Sequence, residues 1–304
     1  MYDIIIIGGG PSALAAAIYA ARQKVNFIVI AENIGGQVLL SSDIENYLGF
    51  KSITGTELIP KFMEQIEYNK VQIKNERVIS LEKKINYYIV KTNENNIFEA
   101  KTVLIASGKK PRKLGIPGEH EFQGKGVAYC ALCDAPLFQE KTVAVVGGGN
   151  AAMDAGLLIN KYAKKVYIIT INPSLLGEKY MMDEINNNKK IEVIVNARAT
   201  MITGDKFVYG ISIEIGNEKK TIPVEGVFVE IGSVPSVDFD NLTKKNKYNE
   251  IIISNNETLS NMTSDSGIFA AGDVTDVQEK QINVAAGEGT KAVLAIFKYF
   301  QSSK

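Results

Sequence analysis

The chain has 304 residues, of which 45% are hydrophobic, enough for two domains of ordinary size, each with its own core. Its 34 Lys and Arg residues balance 34 Asp and Glu residues, which argues against a global attraction to nucleic acid or to an anionic membrane. From Met1-Tyr2-Asp3 onward no basic leader or long apolar segment is evident, so a cytoplasmic protein with no membrane association is expected.

The first predicted element is a β-branched strand at residues 4–7. It runs into Gly8-Gly9-Gly10-Pro11-Ser12-Ala13 and an alanine-rich helix at 14–22. Strand, glycine turn and helix in that order form a dinucleotide fingerprint. The spacing of Gly8, Gly10 and Ala13 lets the backbone turn tightly, approach a pyrophosphate and set a helix N-terminus against its charge. A second strand follows at Phe27–Ile30, and Glu32 lies just beyond it, near the place of an acidic side chain that binds ribose hydroxyls.

The only two cysteines stand in Cys130-Ala131-Leu132-Cys133, with Asp134 directly after them. A pair this close forms a small disulfide ring that thiolate exchange opens and recloses, and Asp134 offers a carboxyl to move the proton. The other reading of such a pair is half a zinc site. Zinc needs four ligands and the chain has one histidine, His120, in a polar stretch, so no metal is expected. A strand at Thr142–Val146 then enters Gly147-Gly148-Gly149 with Ala152 at the same spacing, a second unit of the first kind. Near the C-terminus a buried-looking strand ends in Gly272-Asp273, which can place the carboxylate beside a ribityl or phosphate group, and a helix spans about 282–299.

The ordered set Gly8-Gly9-Gly10-Pro11, Gly35-Gly36-Gln37, Glu45-Asn46-Tyr47-Leu48-Gly49-Phe50, Ala106-Ser107-Gly108, the stretch 111–119, the pentad 130–134 and the stretch 267–274 resembles the low-molecular-weight thioredoxin reductase family of flavoproteins over essentially the whole chain. The resemblance implies an α/β fold of two Rossmann-like three-layer domains. A discontinuous FAD-binding domain would comprise 1–113 and 246–304, and a pyridine-nucleotide-type domain carrying the cysteine pair would be inserted at 114–245. It implies FAD contacts at Gly8, Gly10, Pro11, Ser12, Gln37, Asn46, Gly272, Asp273 and Gln281. It also implies that Cys133 faces the flavin, Cys130 attacks the partner disulfide and Asp134 is the acid, roles that spacing alone does not distinguish. Thioredoxin as acceptor and a homodimer come from the same resemblance.

The inserted domain departs from that family where NADPH binds. The family carries a His-Arg-Arg segment with a further Arg at the end of the second strand, whereas here 166–169 lead into Thr170-Ile171-Asn172-Pro173-Ser174-Leu175-Leu176, without an arginine. A 2′-phosphate would forfeit charge-assisted hydrogen bonds of ~1.5 to 3 kcal/mol each. NADH fares no better, since the strand end lacks the acid that would favour it. Ala151 and Asp154-Ala155 also replace the family's hydroxyl and paired glutamates, so the second glycine turn either persists for strand–helix packing or holds a nucleotide in an unfamiliar way.

The remaining features resemble the ferredoxin-dependent flavin thioredoxin reductases, which keep FAD and the cysteine pair without NADPH motifs. Transfer from a ferredoxin near −400 mV to a thioredoxin near −270 mV falls ~130 mV, or ~6 kcal/mol for two electrons. Ferredoxin is therefore the expected donor, with Lys109-Lys110-Pro111-Arg112-Lys113 and Lys244-Lys245-Asn246-Lys247 as basic docking candidates or plain solvated hinges. Phe297, Tyr299 and Phe300 offer rings either to the isoalloxazine or to helix packing. The rivals are an NADPH-dependent thioredoxin reductase with an atypical phosphate site, and a redox sensor that holds FAD and the disulfide without turnover.

Overall fold

In the computed structural model, which describes residues 1–41, 44–254 and 259–302, the isoleucine run near the N-terminus is buried on both sides. Ile4 and Ile6 enter one core while Ile5 and Ile7 enter another, because successive side chains of a strand point to opposite faces. A strand covered twice therefore reads as a continuous apolar run.

The chain divides into two compact units, Met1–Lys110 with Val234–Lys304, and Pro111–Ser233. The first unit opens with β1 (Tyr2–Ile7), α1 (Pro11–Arg22), β2 (Phe27–Ile30), α2 (Gly55–Tyr68) and β3 (Ile73–Lys74). A meander of β4 (Val78–Lys83), β5 (Tyr88–Thr92) and β6 (Ile97–Ile105) follows, and the chain leaves through β7 (Lys109–Pro111). The second unit begins with β8 (Val127–Ala128), α3 (Ala131–Asp134), β9 (Thr142–Val146), α4 (Asn150–Asn160) and β10 (Lys165–Ile169). It continues with α5 (Lys179–Asn186), β11 (Ile191–Ile194), β12 (Ala197–Gly204), β13 (Val208–Ile215), β14 (Glu218–Pro223) and β15 (Gly226–Val229). After β16 (Ser233–Pro235), which pairs with β7, come β17 (Ile268–Ala270) and α6 (Ile282–Ser302).

The first sheet runs β3-β2-β1-β6-β5-β4, with β17 also on β6. Strands β1, β2, β3, β6 and β17 are parallel, and the meander is antiparallel. Helices α1 and α6 cover one face through alanines that allow close approach, among them Ala13, Ala16, Ala17, Ala292 and Ala295. Phe297, Tyr299 and Phe300 pack against this same core, with Tyr299 edge-on to Phe269 at 6.0 Å, so the terminal rings serve helix packing. Residues 234–245, expected in the insert, belong to the first unit. Val237 is buried in its second core and Phe239 O accepts from Leu81 N at 3.1 Å.

The second unit centres on five parallel strands in the order β11-β10-β9-β15-β8. Helices α3, α4 and α5 cover one face and the antiparallel sheet β12-β13-β14 covers the other. Both units are thus three-layer α/β folds of Rossmann type. In the second, the strand order reverses beside β9, with β10 and β11 to one side and β15 to the other, which makes the β9–β15 crevice the switch point where such folds bind ligands.

Two glycines of α6 test the helix contact. A Cβ on Gly289 would lie 1.9 Å from the backbone oxygen of Ser12, whereas one on Gly287 meets nothing within 4 Å. Gly289→Ala is expected to destabilise the first unit by about 1–3 kcal/mol, and Gly287→Ala to be neutral or stabilising by up to about 1 kcal/mol. Thermal denaturation separates the two, and equal Tm values would contradict so close an α1–α6 approach.

Candidate active site

At the carboxyl edge of the first sheet, Gly8 has φ +130 and a Cβ there would sit 2.1 Å from Ala106 O; one on Gly9 would sit 2.2 Å from Asn33 O. Packing alone requires these two glycines. Gly10 differs, with φ −82 and nothing within 4 Å of a Cβ. The space above it faces the N-terminus of α1, where Pro11 at N1 gives up an N–H that helix bonding does not use. Ser12 is buried against Gly272, whose φ is +77, so the two expected motifs meet here although they are far apart in sequence. Gly36 also abuts Gly10, with a Cβ 3.5 Å from its Cα, which brings the short turn Gly36–Leu40 and its Gln37 to the same edge.

Asp273 follows Gly272, and burial pushes its carboxyl above the usual range while Lys280 and Lys109 pull it back. Such a carboxyl is suited to accept a hydrogen bond from a ligand hydroxyl. Asn46 Nδ2 donates to Gln281 Oε1 at 3.1 Å, and Asn283 Nδ2 donates to Asn46 O at 2.9 Å, tying the 44–50 loop to the start of α6. Glu32 is exposed past the end of β2, its Oε1 4.0 Å from Arg77 Nε, an arginine the sequence pattern does not single out. A cradle open at Gly10, a helix N-terminus and a buried carboxyl together fit a dinucleotide such as FAD.

In the second unit Cys130 and Cys133 are joined as a disulfide, with Cα atoms 5.4 Å apart. Cys130 is half-buried and Cys133 exposed. The Cys133 amide donates to Cys130 Sγ at 3.1 Å, a bond that favours negative charge on that sulfur once the ring opens. Tyr129 turns to the opposite face, where its hydroxyl donates to Glu119 Oε1 at 2.7 Å. Glu119 also accepts from the amides of Leu114 and Gly115, which accounts for this carboxylate structurally and fixes the corner that carries Cys130. Burial pushes the Asp134 carboxyl above its usual range.

The second glycine turn repeats the first in its packing. A Cβ on Gly147, at φ +149, would sit 2.1 Å from Glu230 O, and one on Gly148 would sit 2.2 Å from Thr170 Oγ1. Its surroundings differ. The loop after β10 folds back on it, with Leu176 N donating to Gly148 O at 2.7 Å and Glu178 N to Asn150 Oδ1 at 2.9 Å. That loop presents Ile171 and Leu176 to solvent, 69% and 55% exposed. The motifs do not point to Glu230, whose carboxyl is pushed up to about 8 by burial and by Asp154 on α4. The one signal for it in the sequence is a carboxylate closing an apolar strand at the carboxyl edge, as Asp273 does in the first unit.

The basic docking candidates are partly spent inside the fold. Lys109 and Lys280 hold Glu250 at 3.1 and 3.3 Å, Lys110 pairs with Asp238, and Lys245 reaches Asp240 at 3.0 Å. Sequestered Glu250 and Asp240 need counterions, and these lysines supply them. Arg112, Lys113, Lys244 and Lys247 stay exposed. Among the described residues no helix is long and apolar enough to cross a membrane.

Residues 2–289 match the pyridine nucleotide-disulphide oxidoreductase family. A thioredoxin reductase of Ureaplasma parvum is 37% identical over 303 residues, covering 98% of this chain and 97% of that protein. A Bacillus subtilis protein described as NADH dehydrogenase is 36% identical over 98% of this chain, which spans 58% of that relative's length. Among solved structures, Lactococcus lactis thioredoxin reductase aligns with a TM-score of 0.91 at 30% identity, covering 99% of this chain and 100% of that one. A ferredoxin-flavin thioredoxin reductase from Clostridium acetobutylicum aligns with a TM-score of 0.54 at 32% identity over 99% and 98% of the two chains.

The open space at Gly10 can be probed directly. Asn is a favoured N-cap residue, so Gly10→Asn is expected to leave the stability of the apoprotein within a few tenths of a kcal/mol while filling the cradle. Flavin retained per chain, read by absorbance after purification, should fall at least about tenfold; full retention would place the dinucleotide elsewhere.

Proposed function

The chain belongs to the pyridine nucleotide-disulphide oxidoreductase family, and we propose that it is a flavin-dependent disulfide reductase of thioredoxin reductase type, driven by reduced ferredoxin. The observation that carries the choice of donor is the end of β10. Thr170-Ile171-Asn172 and the loop after them offer exposed Ile171 and Leu176 where a 2′-phosphate would need guanidinium groups. The carboxyls of Glu230 and Asp154 at the β9–β15 switch point add no attraction for a pyrophosphate.

FAD, when bound, supplies a centre that accepts electrons singly and passes them on as a pair. In this reading Gly8, Gly10, Pro11 and Ser12 hold its pyrophosphate at the α1 N-terminus, Glu32 takes ribose hydroxyls, and Gly272 and Asp273 hold the ribityl chain. Gln37, Asn46 and Gln281 line the same edge. Once the two electrons delivered through the flavin have opened the Cys130–Cys133 disulfide, Cys130, favoured as thiolate by the Cys133 amide, attacks the thioredoxin disulfide and displaces one of its sulfurs. Asp134, whose burial makes it hold a proton more tightly than an ordinary carboxyl, gives that proton to the departing thiolate. Cys133 then attacks Cys130, which re-forms the disulfide and releases the second thioredoxin sulfur. The exposed Arg112, Lys113, Lys244 and Lys247 suit an acidic one-electron carrier. A reducing cytoplasmic setting and a homodimer belong to the same reading.

A nicotinamide-driven reaction is the second reading, favoured by the intact glycine turn at Gly147–Gly149. Anaerobic NADPH or NADH should leave the flavin oxidised and reduced ferredoxin should bleach it; rapid bleaching by either nucleotide would falsify the ferredoxin assignment. With ferredoxin supplied, thioredoxin should be reduced over many turnovers, which a non-turnover sensor would not do. Cys130→Ser or Cys133→Ser should abolish that transfer with flavin still bound.

A further inference from the structure

We propose that Glu230 governs the ionisation of Cys130: a neutral Glu230 carboxyl tolerates a thiolate beside it, and a charged one penalises that thiolate. The placement comes from the sheet. Strands β15 and β8 are parallel neighbours, with Val227 opposite Val127 and Phe228 opposite Ala128, and two positions further along each chain stand Glu230 and Cys130. Adjacent strands lie about 4.8 Å apart. Side-chain alternation puts both groups on one face, since Phe228 and Ala128 enter the core beneath α4 while Val229 and Tyr129 enter the opposite core. Cys130 keeps extended backbone at φ −136 and ψ 99, so the alternation carries through it. Helix α3 packs on α4 on that face, and Asp154 of α4 acts electrostatically on Glu230. Glu230 therefore stands between the second glycine turn and the cysteine pair.

The titratable groups on this side are Asp154 of α4, Cys130 and Cys133 of the redox corner, and Asp134 of α3. Strand β9 contributes none, and Tyr209 and Glu214 of β13 belong to the layer on the opposite face. Burial first, and Asp154 second, keep the Glu230 proton in place up to about pH 8. Near neutrality Cys130 thus has an uncharged acid beside it and the Cys133 amide on its sulfur. At higher pH Glu230 ionises, and two like charges must share the face. Their protons then leave in two coupled steps that belong to the pair.

The consequence for turnover rests on the redox reading of Cys130 and Cys133, but the test reads the thiol itself with no electron donor or acceptor present. In holoprotein carrying Cys133→Ser, Cys130 is the sole thiol, and its iodoacetamide alkylation rate is followed against pH. The parent should titrate more broadly than a single proton, with a Hill slope below one. Adding Glu230→Gln should sharpen the curve to one proton and lower the apparent thiol pKa by about one unit. Superimposable curves overturn the proposal. Should Glu230→Gln fail to retain flavin, the parent curve decides alone, and a single-proton profile in it is equally fatal. Either failure would leave the assignment of the disulfide as redox-active untouched.

Discussion

Both sheets are covered on two faces, and this seal dictates where polar chemistry can occur. β1 sends Ile4 and Ile6 to one core and Ile5 and Ile7 to the other, and β15 divides Phe228 from Val227 and Val229 in the same way. An unpartnered polar group inside either layer would cost roughly 1–3 kcal/mol. Glycine turns, acids and the cysteine pair are accordingly gathered at the carboxyl edges, where strands end and loops can meet a ligand.

At those edges charge is set by burial before partners. Asp273, Asp134 and Glu230 all have their carboxyls pushed up, and desolvation is the leading cause in each case. Their neighbours then separate them. Lys280 and Lys109 moderate Asp273, while Asp154 drives Glu230 further toward its neutral form. One unit thus sets a carboxylate near cations, and the other sets an acid near a second carboxylate that favours its neutral form.

The two glycine turns show why a motif can be correct and still undecided. Gly8 lies against Ala106 O and Gly147 against Glu230 O, each at 2.1 Å from where a Cβ would stand. The shared demand is backbone contact with the neighbouring strand, which persists whether or not a nucleotide binds. The surroundings carry the distinction: open space at Gly10 in one unit, and in the other a returning loop with exposed Ile171 and Leu176.

Much of the fold was legible because its signals are local. The isoleucine run, the glycine spacing, the alanine-rich α1 and the close cysteine pair each depend on neighbours within a few positions. The missing arginines after Ile169 were legible for the same reason. Pairings between distant segments needed the tertiary structure. Ser12 meets Gly272, Asn46 meets Gln281, residues 234–245 join the first unit, and basic clusters that look free in sequence neutralise Glu250, Asp238 and Asp240. Glu230 is the clearest case, since its place two residues beyond the Phe228–Ala128 pair comes from strand register and the raised pKa of its carboxyl from burial and Asp154. The sequence alone determined which chemical groups the protein owns and the local elements that carry them. The tertiary structure decided which of those groups face one another and which are taken out of water, because both depend on contacts between strands far apart along the chain.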